Sequence, residues 1–259
     1  MARLDRDGVQ IHYEAAGTGP AVLLTHGFTA SSHMFAATAA DLSADHTVLT
    51  WDIRGHAQSD APGEHAAYTT AASVGDMAAI LDAAGAPSAV VGGHSLGGYL
   101  TLEFWLAHPG RVRALVLVGT GPGYRKDDAR DGWNAMAERY AASFEARGLA
   151  ALGDGEEVSA SVHRDGTGLA RAARGILTQR DGRVMAALPT IDVPTLVIVG
   201  EHDKPFRAGS QYMAERIPGA ELVVVPDAGH APNLAQPERF HAALRAFLSR
   251  LPEETHGRQ

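Results

Sequence analysis

Residues 90–100 read VVGGHSLGGYL. An apolar run enters a knot of glycines, one serine stands inside the knot, and an apolar run leaves it. Three readings compete: a tight turn without chemistry, a phosphate cradle, or a turn that presents a nucleophile. A phosphate loop of the Walker type needs a lysine after its last glycine, and Gly97 is followed by Gly98 and Tyr99. The spacing G-x-G-x-x-G cannot be placed on residues 92–98 either. What fits is Gly93-His94-Ser95-Leu96-Gly97, the G-x-S-x-G form. A serine on a sharp strand-to-helix turn holds a strained backbone, and bulk two residues away would strike the strand and the helix. Its hydroxyl then projects beyond the carboxyl edge of the sheet. The backbone N–H of Leu96, at the helix N-terminus, is placed to stabilise an oxyanion.

The pattern is weak alone in a chain with 29 glycines, so its surroundings carry the weight. Working outward, 88–93 (SAVVGG) is a strand, and 96–109 (LGGYLTLEFWLAHP) is a helix stopped by proline. Strands are also predicted at 9–17, 21–27, 46–52, 112–119, 194–200 and 220–226, and helices at 31–42, 71–85, 210–218 and 238–251. Strands alternating with helices predict an α/β fold with a mostly parallel sheet wound on both faces. Residues 120–190 break the rhythm: no strand is predicted there, and stretches such as GWNAMAERYAASFEARG (132–148) read as helix. The chain is therefore divided into a core of residues 1–119 and 191–259 and a helical cap of residues 120–190. A polar tail, PEETHGRQ, closes it at 252–259.

Composition narrows the partners. The 259 residues carry 30 acids against 22 bases, a net charge of −8. That balance disfavours nucleic acid and anionic membranes as partners. No apolar run is long enough to span a bilayer. The opening MARLDRDGVQIHYEAAG lacks the apolar stretch of a signal peptide, so a cytoplasmic protein, monomeric or homodimeric, is expected. Cysteine is absent, which removes disulfides, thiolate metal sites and a thiol nucleophile.

A serine nucleophile needs a base, and the base needs an orienting acid. Of 13 histidines, His230 follows the last predicted strand, in a loop that opens on the same sheet edge as Ser95. His26, His56, His94 and His202 lie near that edge too and are read as packing and loop support. The acid is expected at the end of the penultimate strand, where GEHDKPF (200–206) offers Asp203, with Glu201 as the alternative. Asp52 precedes the nucleophile and is read as a brace for its own loop, through Arg54 or backbone amides. The turn His26-Gly27 after a buried strand places the N–H of Phe28 as second oxyanion donor.

With these residues in hand, the chain resembles the α/β-hydrolase superfamily over nearly its whole length. The resemblance is carried, in order, by HGF (26–28), WDIRGHAQSD (51–60), GHSLGG (93–98), GEHDKPF (200–206) and DAGHAPNLAQPERF (227–240). It implies an eight-stranded, mostly parallel sheet with helices on both faces, a helical cap after the sixth strand, and the triad order Ser95, Asp203, His230. One departure is Ala57, where members often carry glycine, and a local effect is expected. Dehalogenases and epoxide hydrolases of the superfamily carry aspartate at the place of Ser95. The superfamily's serine members include carboxylesterases, lactonases, thioesterases, perhydrolases and a few lyases, which the motifs do not separate; the leading expectation is a serine hydrolase acting on a small-molecule carboxylic ester, with no metal or organic cofactor. The alternatives are a carbon–carbon bond hydrolase of the dienoate class and a ligand receptor on a hydrolase scaffold. Trp133, Met136 and Tyr140 share a predicted helical face in the cap and are the candidate substrate-pocket residues.

Overall fold

The computed structural model describes residues 2–252. Most of the polar tail read at 252–259 lies outside the described residues. Eight strands form one sheet: β1 (Ala2–Arg6), β2 (Val9–Ala16), β3 (Ala21–Thr25), β4 (Thr47–Trp51), β5 (Ala89–His94), β6 (Val112–Val118), β7 (Thr195–Gly200) and β8 (Glu221–Val225). Their spatial order is β1-β2-β4-β3-β5-β6-β7-β8. The β1–β2 and β2–β4 pairs are antiparallel, and every later pair is parallel.

The first strand escapes the sequence reading. ARLDR has no apolar run, because an edge strand has one free side and needs little core. It is joined to β2 by a two-residue hairpin whose Asp7 and Gly8 both have positive φ, 56° and 83°. Asp-Gly is the residue pair such a turn demands, so a local signal was present.

The central strands read as continuous apolar runs because both of their faces are covered. In β3, Leu23 joins one core cluster and Val22 and Leu24 the other. In β6, Leu115 and Leu117 face the first cluster, and Ala114, Val116 and Val118 the second. Helices α1 (Ala36–Leu42) and α10 (Pro237–Leu248) supply Leu42, Phe240, Leu244 and Phe247 to the second cluster. Helices α2 (Thr70–Ala83), α3 (Leu96–Ala107) and α8 (Lys204–Arg216) cover the other face with residues such as Met77, Ile80, Leu100, Phe104 and Met213. Each fully buried leucine or phenylalanine contributes roughly 1.5–3 kcal/mol relative to exposure. Thr69 caps α2, its hydroxyl accepting the N–H of Ala72 at 3.0 Å.

Between β6 and β7 the chain forms α4 (Asp127–Arg147), α5 (Glu156–Ser159), α6 (Gly166–Ala172), a π-helical turn (Ala173–Leu177) and α7 (Arg183–Ala187). This segment packs on the loops that leave the carboxyl ends of β3 and β4. Phe28 meets the rings of Tyr140 and Phe144 at 5.9 and 6.1 Å. The Arg171 guanidinium donates to the Pro62 carbonyl at 3.1 Å. A small apolar cluster of Ala141, Phe144, Leu169, Ala170 and Ala173 holds these helices together. The short α9 (Pro232–Ala235) precedes α10. No helix among the described residues is long and apolar enough to cross a membrane.

Candidate active site

Ser95 is the single residue between β5 and α3, and its backbone is strained: φ 52°, ψ −115°. A non-glycine residue in such a region costs of order 1–3 kcal/mol and persists only where the surroundings hold it. Here the Ser95 N–H donates to the Val118 carbonyl at 2.9 Å, and the Thr120 hydroxyl donates to the Ser95 carbonyl at 2.7 Å. The flanking glycines are required by contact. A Cβ on Gly93 would lie 2.3 Å from the Gly97 backbone, and one on Gly97 would lie 2.0 Å from the Thr25 carbonyl oxygen. The Ser95 side chain makes no capping bond to the helix it precedes, so its hydroxyl is not consumed by structure.

His230 and Asp203 are brought together from the loops after β8 and β7. His230 Nδ1 lies 2.9 Å from Asp203 Oδ2. Asp203 is 2% exposed, while the His230 side chain is partly open. The carboxylate can only accept, so Nδ1 carries the proton and Nε2 is free of it. Phe206 stacks on the imidazole at 4.7 Å, with ring planes 20° apart. On the opposite side of the bond network, His94 Nε2 donates to the His230 carbonyl at 2.9 Å, and the two rings are 4.5 Å apart. His94 directly precedes Ser95, so this bond ties the serine turn to the histidine loop. Gly119 fills the remaining gap: a Cβ there would lie 2.8 Å from the His230 carbonyl oxygen and 3.3 Å from Asp203 Oδ2. Glu201, the alternative carboxylate, is exposed and accepts the Asp227 N–H at 3.2 Å. Phe206, Gly119 and Thr120 had no role in the sequence reading. Their signal is only that they lie close to a strand end.

The turn carrying Phe28 lies against Ser95, since a Cβ on Gly27 would be 3.2 Å from the Ser95 Cβ. Leu96 opens α3 on the other side. Behind the turn is a group of buried imidazoles. His26 Nε2 accepts the Ile53 N–H at 2.9 Å, so Nδ1 donates to the Gly27 carbonyl at 2.7 Å. His56 lies 5.1 Å from His26 and edge-on to Phe28 at 5.7 Å. Asp52 accepts two backbone amides, Ser32 N–H at 2.7 Å and Gln58 N–H at 3.0 Å. Arg54 instead pairs with buried Asp76, at 2.6 and 2.8 Å. Ala57, at the position where glycine is common, has φ 38°, the left-handed conformation that glycine adopts without strain.

Burial holds these imidazoles neutral. It lowers His26 to about 4, against a partial opposing pull from Asp52. It holds His56, His94 and His163 below the usual histidine range as well. The unfolded chain takes up protons near pH 6.5 that the native protein refuses. Stability is therefore full above about pH 6.5 and is lost as the pH falls from there toward the folded values. For His26 alone the drop to about 4 corresponds to about 3 kcal/mol. Calorimetry between pH 7 and 4.5, a window in which most carboxylates stay ionised, is expected to show a steadily falling Tm. A flat Tm would overturn the neutral-imidazole assignment.

The three residues read for a pocket separate on α4. Its inward side is Ala137, Ala141 and Phe144. Trp133 is half-buried, and its indole N–H donates to the Leu177 carbonyl at 2.8 Å. Met136 is half-buried. Tyr140 is 45% exposed and reaches Phe28. Among the described residues, Glu201, His202 and Asp227 bring ligand-type atoms within 4.8 Å of one another, all on the exposed surface.

A family description of the alpha/beta hydrolase fold matches residues 20–165. A Bacillus subtilis (strain 168) protein, provisionally named 2-succinyl-6-hydroxy-2,4-cyclohexadiene-1-carboxylate synthase, is 31% identical, covering 94% of this chain and 96% of its own. A thermophilic esterase from Thermogutta terrifontis superposes with a TM-score of 0.80 at 29% identity, covering 96% of this chain and 98% of that one. The enol-lactonase from Burkholderia xenovorans LB400 gives 0.76 at 26% identity, over 96% and 100%. The chain belongs to the α/β-hydrolase fold family and is an enzyme of that fold.

Proposed function

We propose that this protein is a serine hydrolase that cleaves carboxylic esters of small or medium size through an acyl-enzyme. The observation that carries the reading is the strained Ser95 turn tied through His94 to a histidine whose Nδ1 is held by a buried carboxylate. In the proposed reaction the Ser95 oxygen attacks the ester carbonyl carbon, and its proton passes to His230 Nε2. Asp203 fixes the tautomer and stabilises the imidazolium. The N–H groups of Phe28 and Leu96 stabilise the oxyanion, each such donor being worth about 3 kcal/mol. The carbonyl re-forms, the C–O bond to the alcohol breaks, and His230 returns the proton to the leaving alkoxide. Water, deprotonated by His230, then attacks the acyl group, and the carboxylic acid leaves as Ser95 regains its proton. The resemblance to an enol-lactonase is compatible with a cyclic ester in the same scheme. A carbon–carbon bond hydrolase of the dienoate class is the second reading.

The reading includes residues 120–190 as a cap over this site, excluding water from the acyl-enzyme. It also extends to a cytoplasmic, monomeric or homodimeric protein, whose mass light scattering would measure. Labelling with a fluorophosphonate probe, followed by turnover of p-nitrophenyl esters of graded chain length against a vinylogous diketone, tests the function. Preferential cleavage of the diketone would replace the esterase reading by the carbon–carbon one.

Within the cap, Met136 and Tyr140 are proposed to border the pocket, whereas Trp133 is held by its bond to Leu177. Tyr140→Ala is therefore expected to change the ranking of ester chain lengths with Tm preserved. Trp133→Ala is expected to lower Tm by several degrees with the ranking preserved, and the reverse pair of results would exchange the two roles.

A further inference from the structure

His163 lies between α5 and α6, in the helical segment, and is 7% exposed. Its imidazole spans two loops of the core. Nδ1 accepts the Ala57 N–H at 3.1 Å, and Nε2 lies 2.8 Å from the Thr29 carbonyl oxygen. A backbone N–H only donates, so Nδ1 is bare, Nε2 carries the proton, and His163 donates to Thr29. Both recipients are non-glycine residues in the left-handed region, Thr29 at φ 64° and Ala57 at φ 38°. Such residues persist where neighbours over-determine them, and at each of them His163 supplies a hydrogen bond from outside its loop.

Thr29 directly follows Phe28. Besides the ring contacts of Phe28 with Tyr140 and Phe144, the other hydrogen bonds of that turn among the described residues are internal or come from its own strand end: Ala30 N–H and His26 Nδ1 both donate to the Gly27 carbonyl, and the Thr29 hydroxyl donates to the Phe28 carbonyl. The His163 ring also meets His56 edge-on at 5.8 Å, and His56 meets Phe28. A continuous set of contacts thus runs from the loop before α6 to Phe28, the proposed oxyanion donor.

We infer that His163 is a positioning residue for the oxyanion turn, holding the Phe28 N–H in its stabilising orientation only while the helical segment is seated on the loops after β3 and β4. The inference rests on the esterase reading for its kinetic consequence, but its structural core does not. An oxyanion donor acts on the tetrahedral intermediate more than on the bound ester. Loss of His163 should therefore reduce kcat and leave KM nearly untouched.

The test compares His163→Leu, which removes both bonds, with His163→Gln, whose amide can still donate to the Thr29 carbonyl. With a p-nitrophenyl ester, His163→Leu is expected to lower kcat 10- to 100-fold with KM within about twofold. The affinity for an alkyl trifluoromethyl ketone, which forms a tetrahedral adduct with a serine oxygen, should fall by the same factor. His163→Gln should recover most of both losses. Hydrogen exchange at the amides of residues 28–30 should quicken about tenfold in His163→Leu. A lowered Tm with kcat, KM and ketone affinity unchanged would make His163 a packing residue and overturn the inference, and so would a raised KM at constant kcat. If the unaltered protein neither turns over esters nor takes the fluorophosphonate, the esterase reading has failed. The exchange measurement then decides alone: faster exchange at residues 28–30 upholds the positioning role, and unchanged exchange ends it.

Discussion

Ser95→Ala is expected to reduce ester turnover by about 10⁴-fold or more while the protein remains folded, because loss of the attacking atom leaves only binding and oxyanion stabilisation. The fold should tolerate it. The Ser95 side chain does not cap α3, and the backbone bonds to Val118 and Tyr99 do not involve the hydroxyl. Alanine inherits the strain of φ 52°, whereas glycine does not. Ser95→Gly should therefore be as inactive as Ser95→Ala but more stable by up to about 1 kcal/mol. Circular dichroism, thermal melts and fluorophosphonate labelling of the three proteins measure this together. Near-normal turnover by purified Ser95→Ala would remove Ser95 from the chemistry.

Asp203→Asn is expected to be the next most damaging change, with kcat lowered by about 10³- to 10⁴-fold. The amide can donate to His230 Nδ1, which then moves the imidazole proton to Nε2, where the base must be free. Asp203 is 2% exposed and bonded to His230 at 2.9 Å, so bulk water does not take its place. Glu201→Gln should cost less than about threefold, because Glu201 is exposed and its carboxylate accepts the Asp227 N–H. Steady-state kinetics on both variants decides the matter: a larger loss in Glu201→Gln would reassign the acid.

The sheet was largely legible before any coordinates. Seven strands announce themselves: the central parallel ones, covered on both faces, are short unbroken apolar runs, as in AVLLT and VRALVLV, and β2 alternates as an antiparallel strand does. β1 did not, since ARLDR is an edge strand with alternating exposure and its residues answer to a hairpin partner rather than to a core. The serine turn was legible for a similar reason of locality. Gly93 is demanded by the Gly97 backbone four positions on, a contact written in nearby residues, whereas Gly97 is demanded by the Thr25 carbonyl of the neighbouring strand.

Side-chain partnerships were legible only in part. The sequence could name Asp52 as a brace but not choose between Arg54 and backbone amides. The fold puts Arg54 beside Asp76 on α2 and leaves Asp52 to Ser32 and Gln58. Helical periodicity put Trp133, Met136 and Tyr140 on one face, yet it is Ala137, Ala141 and Phe144 that turn inward. Rotation of a helix about its axis is set by what it packs against. His163 left no trace in the sequence at all. Its two partners, Ala57 and Thr29, are 106 and 134 positions away, and a lone histidine in a strandless region has no period or motif to mark it. Local backbone demands, strand burial and turn chemistry are encoded in neighbouring residues and determined the fold class and the serine turn. The tautomers of the buried histidines and the bracing of the loops depend on atoms far apart along the chain that meet only in the folded protein, and tertiary packing alone decided those.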